Sequence, residues 1–213
     1  MAKTNEAALA GLVGDLGDLR RGVVAPRAPA RWQLSAFVGR FGEVSGCEAG
    51  ACLSLVFRLV LEAQRQGEPV VWVGRRESVF FPPDVAETGV DLAALPVVRT
   101  SDPLAAARAA DYLVRSGAFG LTVLDLGARA RLPLRAQTRL VGLAKKHDTA
   151  LLCITEKEGD HPSLGSLVSL RAHVVRTQRE GNRFHCEARV LKDKRSGPSW
   201  GHTEVCRGPD GLC

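Results

Sequence analysis

The sequence predicts an α/β protein with a mostly parallel central sheet flanked by helices, and with antiparallel strands added at its C-terminal edge. Short apolar segments alternate with helical segments from residue 37 to residue 155, a cadence typical of right-handed βαβ units. Charge-rich segments of alternating polarity follow at the spacing of hairpins. A chain of 213 residues is long enough to give such a sheet its own core.

The N-terminal region differs from the rest of the chain. Residues 1–22 carry leucines at spacings of three and four, which predicts an amphipathic helix with Leu9, Leu12, Leu16 and Leu19 on one face. The segment that follows contains two prolines and no periodicity, so it is interpreted as an arm. We therefore divide the chain into a helix and arm over 1–34 and a domain over 35–213.

The domain's elements are predicted in order from apolar runs and their stop signals. A strand in FVGRFGEVSG precedes a helix that ends at Gly67, and PVVWVGR is a buried strand. A short helix over 84–95, the strand VVRT and a capped helix from Asp102 come next. FGLTVLDLG, the basic helix LRAQTRLVGLAKKHD and ALLCITE complete the parallel part, and VSLRAHVVRTQ, RFHCEARVLKD and HTEVCRG form the edge strands.

Composition restricts the classes of function. The chain is 45% hydrophobic and 24% charged, and its most apolar run is interrupted by Arg58 and Glu62, so we expect no membrane span and a cytoplasmic protein. The six cysteines are widely spaced without a CxxC pair, which favours reduced thiols and no metal site. The formal charge of +6 is compatible with an acidic partner or nucleic acid but does not choose between them.

Functional residues in an open parallel sheet gather at the carboxyl ends of the strands. Three segments fall there: SGCEAGACLSL after the first strand, Asp125 after LTVL, and ITEKEGDHPSLG after the last parallel strand. The first stands where a phosphate-binding loop is expected, and the second where a magnesium-linked carboxylate is expected.

These segments, in this order over residues 35–195, resemble the RecA superfamily and imply a RecA-like core. Within that superfamily the chain is most similar to the ImuA family, RecA-like accessory proteins of the bacterial inducible mutagenesis cassette. The closer similarity is carried by VVWVGRRESVFFPPDVAETGVDLAALPVVRT and by RVLKDKRSGPSW with the terminal RGPDGL.

The phosphate-binding loop departs from the pattern GxxxxGK[ST]. Gly46 and Gly50 remain, but the stretch between them is one residue short. Ala51 stands in place of the lysine and Cys52 in place of the serine or threonine. Without an ammonium group and with a poor magnesium ligand, such a loop loses its compensation for the charge of a triphosphate.

Other catalytic positions implied by the resemblance are altered as well. Asp125 matches the Walker B acid, although capping of the next turn explains it equally well. Glu77 matches the activating glutamate only if one residue has been inserted. Glu156 stands in place of the phosphate-sensing amide, and its carboxylate would repel a γ-phosphate. We therefore expect no ATP turnover, no cofactor and no catalytic residue.

The two DNA-binding loops of the RecA superfamily are reduced here to ARARLPLRAQ and KEGDHPSLGSL. Arg129, Arg131 and Arg135 are the candidate phosphate contacts, and Lys145 and Lys146 extend the basic surface. Neither loop contains an aromatic residue on which a base could stack. A merely solvated basic helix face is the alternative.

One implied feature of the superfamily is retained. RVLKDKRSGP resembles the segment by which a RecA subunit touches its neighbour's triphosphate with two lysines, and Lys192 and Lys194 occupy those positions. Lysines two residues apart on a strand share one face, so both can point at one anion. A solvated edge strand protected by lysines is the alternative explanation.

The resemblance implies a non-catalytic adaptor of damage-inducible translesion synthesis. Its implied partners are an ImuB-like relative of Y-family polymerases and an error-prone DnaE-type polymerase, and the two retained lysines make RecA a further candidate partner. Candidate partner contacts are Leu12 and Leu16 in the N-terminal helix, Lys192 and Lys194, and Trp200 and Arg207 in the tail. A RecA-binding regulator, acting as a filament cap or an inhibitor of recombination, and a weak ATP-binding protein are the alternatives.

Overall fold

The described residues form strands and helices that alternate up to the fifth strand, as predicted, and three further strands follow. The computed structural model describes residues 31–47, 49–76, 78, 80, 82–128, 130–181, 183–198 and 200–207. The strands are β1 (Arg40–Ser45), β2 (Val70–Arg75), β3 (Val97–Thr100), β4 (Leu121–Asp125), β5 (Ala150–Thr155), β6 (Leu170–Glu180), β7 (Arg183–Asp193) and β8 (Gly201–Arg207). The helices are α1 (Ala49–Arg65), α2 (Pro82–Ala86), α3 (Pro103–Arg115) and α4 (Leu134–Lys146), with one 3-10 turn at Leu34–Ala36.

All eight strands form one sheet in the order β3-β2-β4-β5-β1-β6-β7-β8. The first five are parallel to one another, as predicted. The last three strands were all predicted to be antiparallel, and β6 departs from this. One side of β6 pairs in parallel with β1, and its other side pairs antiparallel with β7. The cause is the connection 156–169, which returns the chain to the amino end of β1 before β6 begins. This mixed α/β architecture is consistent with a RecA-like core.

Helices cover both faces of the sheet. α1 packs on one face, where its leucines and valines join Trp72 and the apolar side chains of β6 and β7. α3 and α4 pack on the other face against Phe41, Leu124 and Leu151. α3 begins where predicted, because the Asp102 carboxylate accepts a hydrogen bond from the Ala105 amide at 2.8 Å and Pro103 opens the helix. No helix in the described ranges has the length and apolar character needed to cross a bilayer.

Some local features depart from the sequence prediction. Trp32 and Leu34, in the segment interpreted as an arm, are buried, and the Trp32 indole donates to the Leu55 carbonyl at 3.2 Å. The helix expected over 84–95 is a single turn at Pro82–Ala86 followed by irregular chain. The N-terminal helix predicted over 1–22 lies outside the described residues.

A buried ion pair joins the first strand to the end of β7. Arg40 and Asp193 approach to 2.6 Å with side chains 3% and 1% exposed. The Arg40 guanidinium also donates to the Ser169 carbonyl at 2.6 Å, and the Trp200 indole donates to Asp193 at 3.1 Å. Burial alone would raise the pKa of Asp193, but hydrogen bonds from the Arg195 amide, Arg40 and Trp200 hold that pKa below its ordinary value.

Replacing Asp193 by alanine should destabilise the fold by about 3–5 kcal/mol, because Arg40 would be left buried without its partner. Urea unfolding at neutral pH measures the change, with Asp160→Ala as an exposed control expected to shift stability by about 0.5 kcal/mol or less. Because the folded pKa of Asp193 is lowered, its contribution is present above the ordinary value of 3.8 and is lost as the pH falls through the folded pKa. A loss below about 1 kcal/mol at pH 7 would contradict a structural role for this pair.

Candidate functional site

The carboxyl ends of β1, β4 and β5 meet because these strands are parallel neighbours. Ser45 pairs with Thr155, and Asp125 pairs with Ile154. Beside them is a small cleft lined by Gly46, Cys52, Leu53, Asp125, Ile154, Thr155 and Glu156. Gly46, Cys52, Asp125 and Glu156, which were predicted to follow the carboxyl ends of the strands, all line this cleft. The accessible volume is about 10 Å³, the room of about one water molecule.

Close packing accounts for the first glycine of the degenerate loop. The Gly46 amide donates to the Thr155 carbonyl at 3.2 Å. A Cβ on Gly46 would lie 2.5 Å from the Val174 carbonyl oxygen and 2.9 Å from the Cys52 sulfur. Gly46 is therefore required by the approach of β6 and α1, whether or not a phosphate binds.

The two substituted positions of the loop are part of the core. Ala51 and Cys52 are 0% and 1% exposed at the start of α1. Burial, followed by the charges of Cys47, Glu156 and Asp125, raises the pKa of the Cys52 thiol to about 12. Cys52 is thus a neutral thiol at physiological pH, and it fills space where a phosphate-binding loop needs an exposed hydroxyl.

Asp125 is held by groups of the protein itself. It is 4% exposed and accepts a hydrogen bond from the Ser78 hydroxyl. Burial raises the pKa of Asp125, although the Ser78 hydrogen bond and the positive charges of Arg75 and Arg99 oppose that increase. The carboxylate therefore has a structural partner in the segment that follows β2.

An ion pair joins the carboxyl end of β2 to the residue after β5. The RecA-like pattern has the activating glutamate after β2 and the phosphate-sensing amide after β5. Arg75, the last residue of β2, approaches Glu156, the first residue after β5, to 3.4 Å. The Arg75 guanidinium lies against Gly127, whose φ of 65° and lack of a Cβ leave room for it. The acids Asp125 and Glu156 thus lie among the positive charges of Arg75 and Arg99, and none of the described residues that line the cleft carries an ammonium group. This residue set does not fit a magnesium-bound triphosphate.

The loop after β5 is anchored by a fully buried acid on β1. Glu43 is 0% exposed and contacts the Lys157 ammonium at 2.5 Å and the Arg171 guanidinium at 3.8 Å. Its carboxylate also accepts hydrogen bonds from the Thr155 hydroxyl at 3.0 Å and the Leu164 amide at 2.8 Å.

Further hydrogen bonds reach along this loop. Arg171 donates to the His161 carbonyl at 2.7 Å, and Lys157 donates to the Pro162 carbonyl at 2.7 Å. Gln137 of α4 donates to the Leu164 carbonyl at 3.3 Å. The loop that corresponds to a flexible DNA-binding loop in the RecA resemblance is therefore fixed to the sheet and to α4.

The two lysines singled out from the sequence converge. The Lys192 and Lys194 ammonium groups donate to the same Ser166 carbonyl oxygen, at 3.3 and 2.7 Å. Burial, then the charge of Lys194, lowers the pKa of Lys192. Neither lysine forms an ion pair with any of the described residues. The two cations thus face one acceptor at the amino end of the parallel strands.

The remaining predicted residues are dispersed. Arg131 and Arg135 are exposed before and at the start of α4, Trp200 is half-buried beside Asp193, and Arg207 ends β8. Glu77 and Arg129, with Leu12 and Leu16, lie outside the described residues, and Gly50 is described only as part of the α1 backbone. Within the described ranges, no three His, Cys, Asp or Glu side chains are grouped so that they could hold a metal ion.

Sequence reasoning missed the residues that neutralise the site. Arg75 ends β2 and Ser78 follows it, and neither carried a distinctive motif. Their roles depend on contacts with Glu156 and Asp125, which are 81 and 47 residues away in the sequence. Glu43 could have been noticed, because an acid inside the apolar strand RFGEVS must be paired if the strand is central.

The sheet order and the cleft at the carboxyl ends of the parallel strands are those of an α/β protein and are consistent with a RecA-like core. No protein-family model matches the chain. It is similar to the protein RecA of Fusobacterium nucleatum, with 28% identity over 137 residues, and of Rhodospirillum rubrum, with 29% over 137 residues. Each match covers 55% of this chain but only 36% and 37% of the RecA protein. Protein RecA of Aquifex aeolicus is 27% identical over the same length. This similarity supports membership in the RecA superfamily.

Cys52 should resist alkylation in the folded protein. A pKa of about 12 instead of 9.0 lowers the thiolate fraction near pH 8 about 1,000-fold, and the thiolate is the reactive form. Peptide mass spectrometry after treatment with iodoacetamide should find the exposed Cys47 modified and Cys52 unmodified, whereas both should react in urea. Equal labelling of the two cysteines in the native protein would disprove the buried environment assigned to Cys52.

Proposed function

We propose that this protein is a non-catalytic RecA-like adaptor in damage-inducible translesion DNA synthesis. It would act with an ImuB-type relative of Y-family polymerases and an error-prone DnaE-type polymerase. The observation that supports a non-catalytic role is the cleft itself: Asp125 is paired with Ser78 and Glu156 with Arg75, and the described lining residues offer neither an ammonium group nor an accessible hydroxyl to a triphosphate. The similarity of the closer segments to the ImuA family supports the choice of partners.

An adaptor of this kind works through rigid surfaces. The fixed loop 156–169 and the buried Arg40–Asp193 pair hold the β6–β7 region and the turn after it in one arrangement. Among the described strands β8 lies at the outer edge of the sheet, and its alternate residues are exposed. Trp200 and Arg207 lie directly before and at the end of that edge strand, where a partner strand or peptide could add.

A second candidate function is favoured by the two converging lysines. Lys192 and Lys194 hold two positive charges at a single uncharged oxygen, so an anion from another molecule could neutralise both. A regulator that binds RecA could use them against the triphosphate at the end of a RecA filament. Because this chain's own cleft does not fit a triphosphate, such a protein would cap the filament and would not extend it.

The non-catalytic proposal predicts weak binding of ATP. Isothermal titration of the full chain with ATP and Mg²⁺ should give no dissociation constant below about 100 µM, which corresponds to roughly −5.5 kcal/mol. RecA titrated under the same conditions serves as the positive control. A tighter constant for this chain, or release of phosphate above background, would refute the proposal and favour an ATP-binding protein.

The partners are tested by recovery from cells treated with a DNA-damaging agent, with nuclease added to remove bridging DNA. Wild-type protein and the Lys192→Ala, Lys194→Ala double variant are used as parallel baits, and bound proteins are identified by mass spectrometry. We expect both baits to recover an ImuB-like protein and a DnaE-type polymerase, since the two lysine ammonium groups point at the Ser166 carbonyl and not along the outer side of β8.

Two other outcomes would change the assignment. Recovery of RecA without a polymerase, abolished in the double lysine variant, would replace the adaptor by the RecA-binding regulator. Recovery of none of these proteins by either bait would mean that the RecA-like core carries a different function here.

A further inference from the structure

The outer faces of α3 and α4 hold most of the net charge of the chain. The two helices contain six basic residues and one acidic residue, so they carry +5 of the formal +6. Four of the basic residues, Arg108, Arg135, Lys145 and Lys146, are exposed and form no ion pair with a described residue. We call this surface the α3–α4 face.

The single acid of the α3–α4 face is already neutralised. Asp111 accepts charged hydrogen bonds from Arg115 on its own helix and from Arg139 on α4. Burial would raise the pKa of Asp111, but these two arginines hold that pKa below its ordinary value. One carboxylate thus fixes two guanidinium groups at the centre of the face and leaves an excess of positive charge there.

An exposed aromatic ring lies in the same place. Tyr112 is 72% exposed, the largest exposure among the big apolar side chains of the described residues. The Arg115 guanidinium lies 5.5 Å from the centre of its ring. Arg108, Tyr112 and Arg115 are spaced at four and three residues, so they share one stripe of α3.

From this arrangement we infer that the α3–α4 face binds single-stranded nucleic acid. Unpaired arginines and lysines along both helices neutralise phosphates, and the Tyr112 ring provides a platform on which an unpaired base can stack. α4 places Arg135 and Lys146 about 16 Å apart on its exposed side, enough to follow several nucleotides of backbone. A duplex, whose bases are stacked inside, cannot use the tyrosine in this way.

The chemistry of the face favours nucleic acid over an acidic protein. Protein interfaces have an apolar centre from which charges are depleted. Here the centre is the Arg115–Asp111–Arg139 group, and the only large apolar side chains exposed on these helices are Tyr112 and Leu134. This inference does not depend on the adaptor function, because it concerns a different surface from the cleft, the converging lysines and the β8 edge.

Fluorescence anisotropy of a labelled 20-nucleotide oligothymidylate with the full-length chain tests the inference. Binding should be detectable at low salt, and Tyr112→Ala should weaken it at least fivefold, whereas Tyr112→Phe should stay within about twofold because the ring is retained. Arg135→Ala with Lys146→Ala should reduce the slope of log affinity against log salt by about 1.4, since two phosphate contacts are lost.

A matched control removes the same charge elsewhere. Arg65→Ala with Arg183→Ala changes two exposed arginines on α1 and β7 and should leave the affinity and the salt slope nearly unchanged. The inference is overturned if wild-type protein does not bind the oligonucleotide, or if the control pair weakens binding as much as the α4 pair. Competition by a 20-residue polyglutamate as effective as that by unlabelled oligonucleotide would reassign the face to an acidic protein.

Discussion

The arrangement of the loop 156–169 and of the start of β6 depends on the buried carboxylate of Glu43. Glu43 sits in β1, the strand that pairs with both β5 and β6, and it is fully removed from water. A charge in that position must be paired, so Lys157 and Arg171 are drawn in from either end of the loop 156–169. The same loop supplies the Ser166 carbonyl on which Lys192 and Lys194 converge.

The acidic groups of the cleft are likewise paired with other groups of the protein. In a phosphate-binding site the protein leaves donors and cations unsatisfied until the anion arrives. Here Asp125 is bound to Ser78, Arg75 lies against Glu156, and the Cys52 thiol is buried and protonated. The polar groups that remain at the strand ends therefore stabilise the connections after β2 and β5. The surfaces with unsatisfied charge are elsewhere, at the two lysines and on the α3–α4 face.

Much of the fold could be predicted, because local periodicity and stop signals report directly on strands and helices. β2, β3, β4, β5 and the two capped or basic helices lie where their apolar patterns placed them. The parallel pairing of β6 with β1 was not predictable from an alternating, charged segment, since both directions of pairing give the same alternation. The burial of Trp32 was missed for a similar reason: a proline-rich stretch has no period, and its contact with Leu55 is tertiary.

The sequence by itself determined the class of fold, the substitutions at Ala51 and Cys52 and the likeness to RecA proteins, because these follow from residue identity and order along the chain. Only the tertiary structure decided which charges meet. It paired Arg75 with Glu156 and Ser78 with Asp125, and it gathered the excess positive charge around Tyr112. The physical reason is that an ion pair or a hydrogen bond depends on a few ångströms of separation, which strand order and helix packing set between residues distant in sequence.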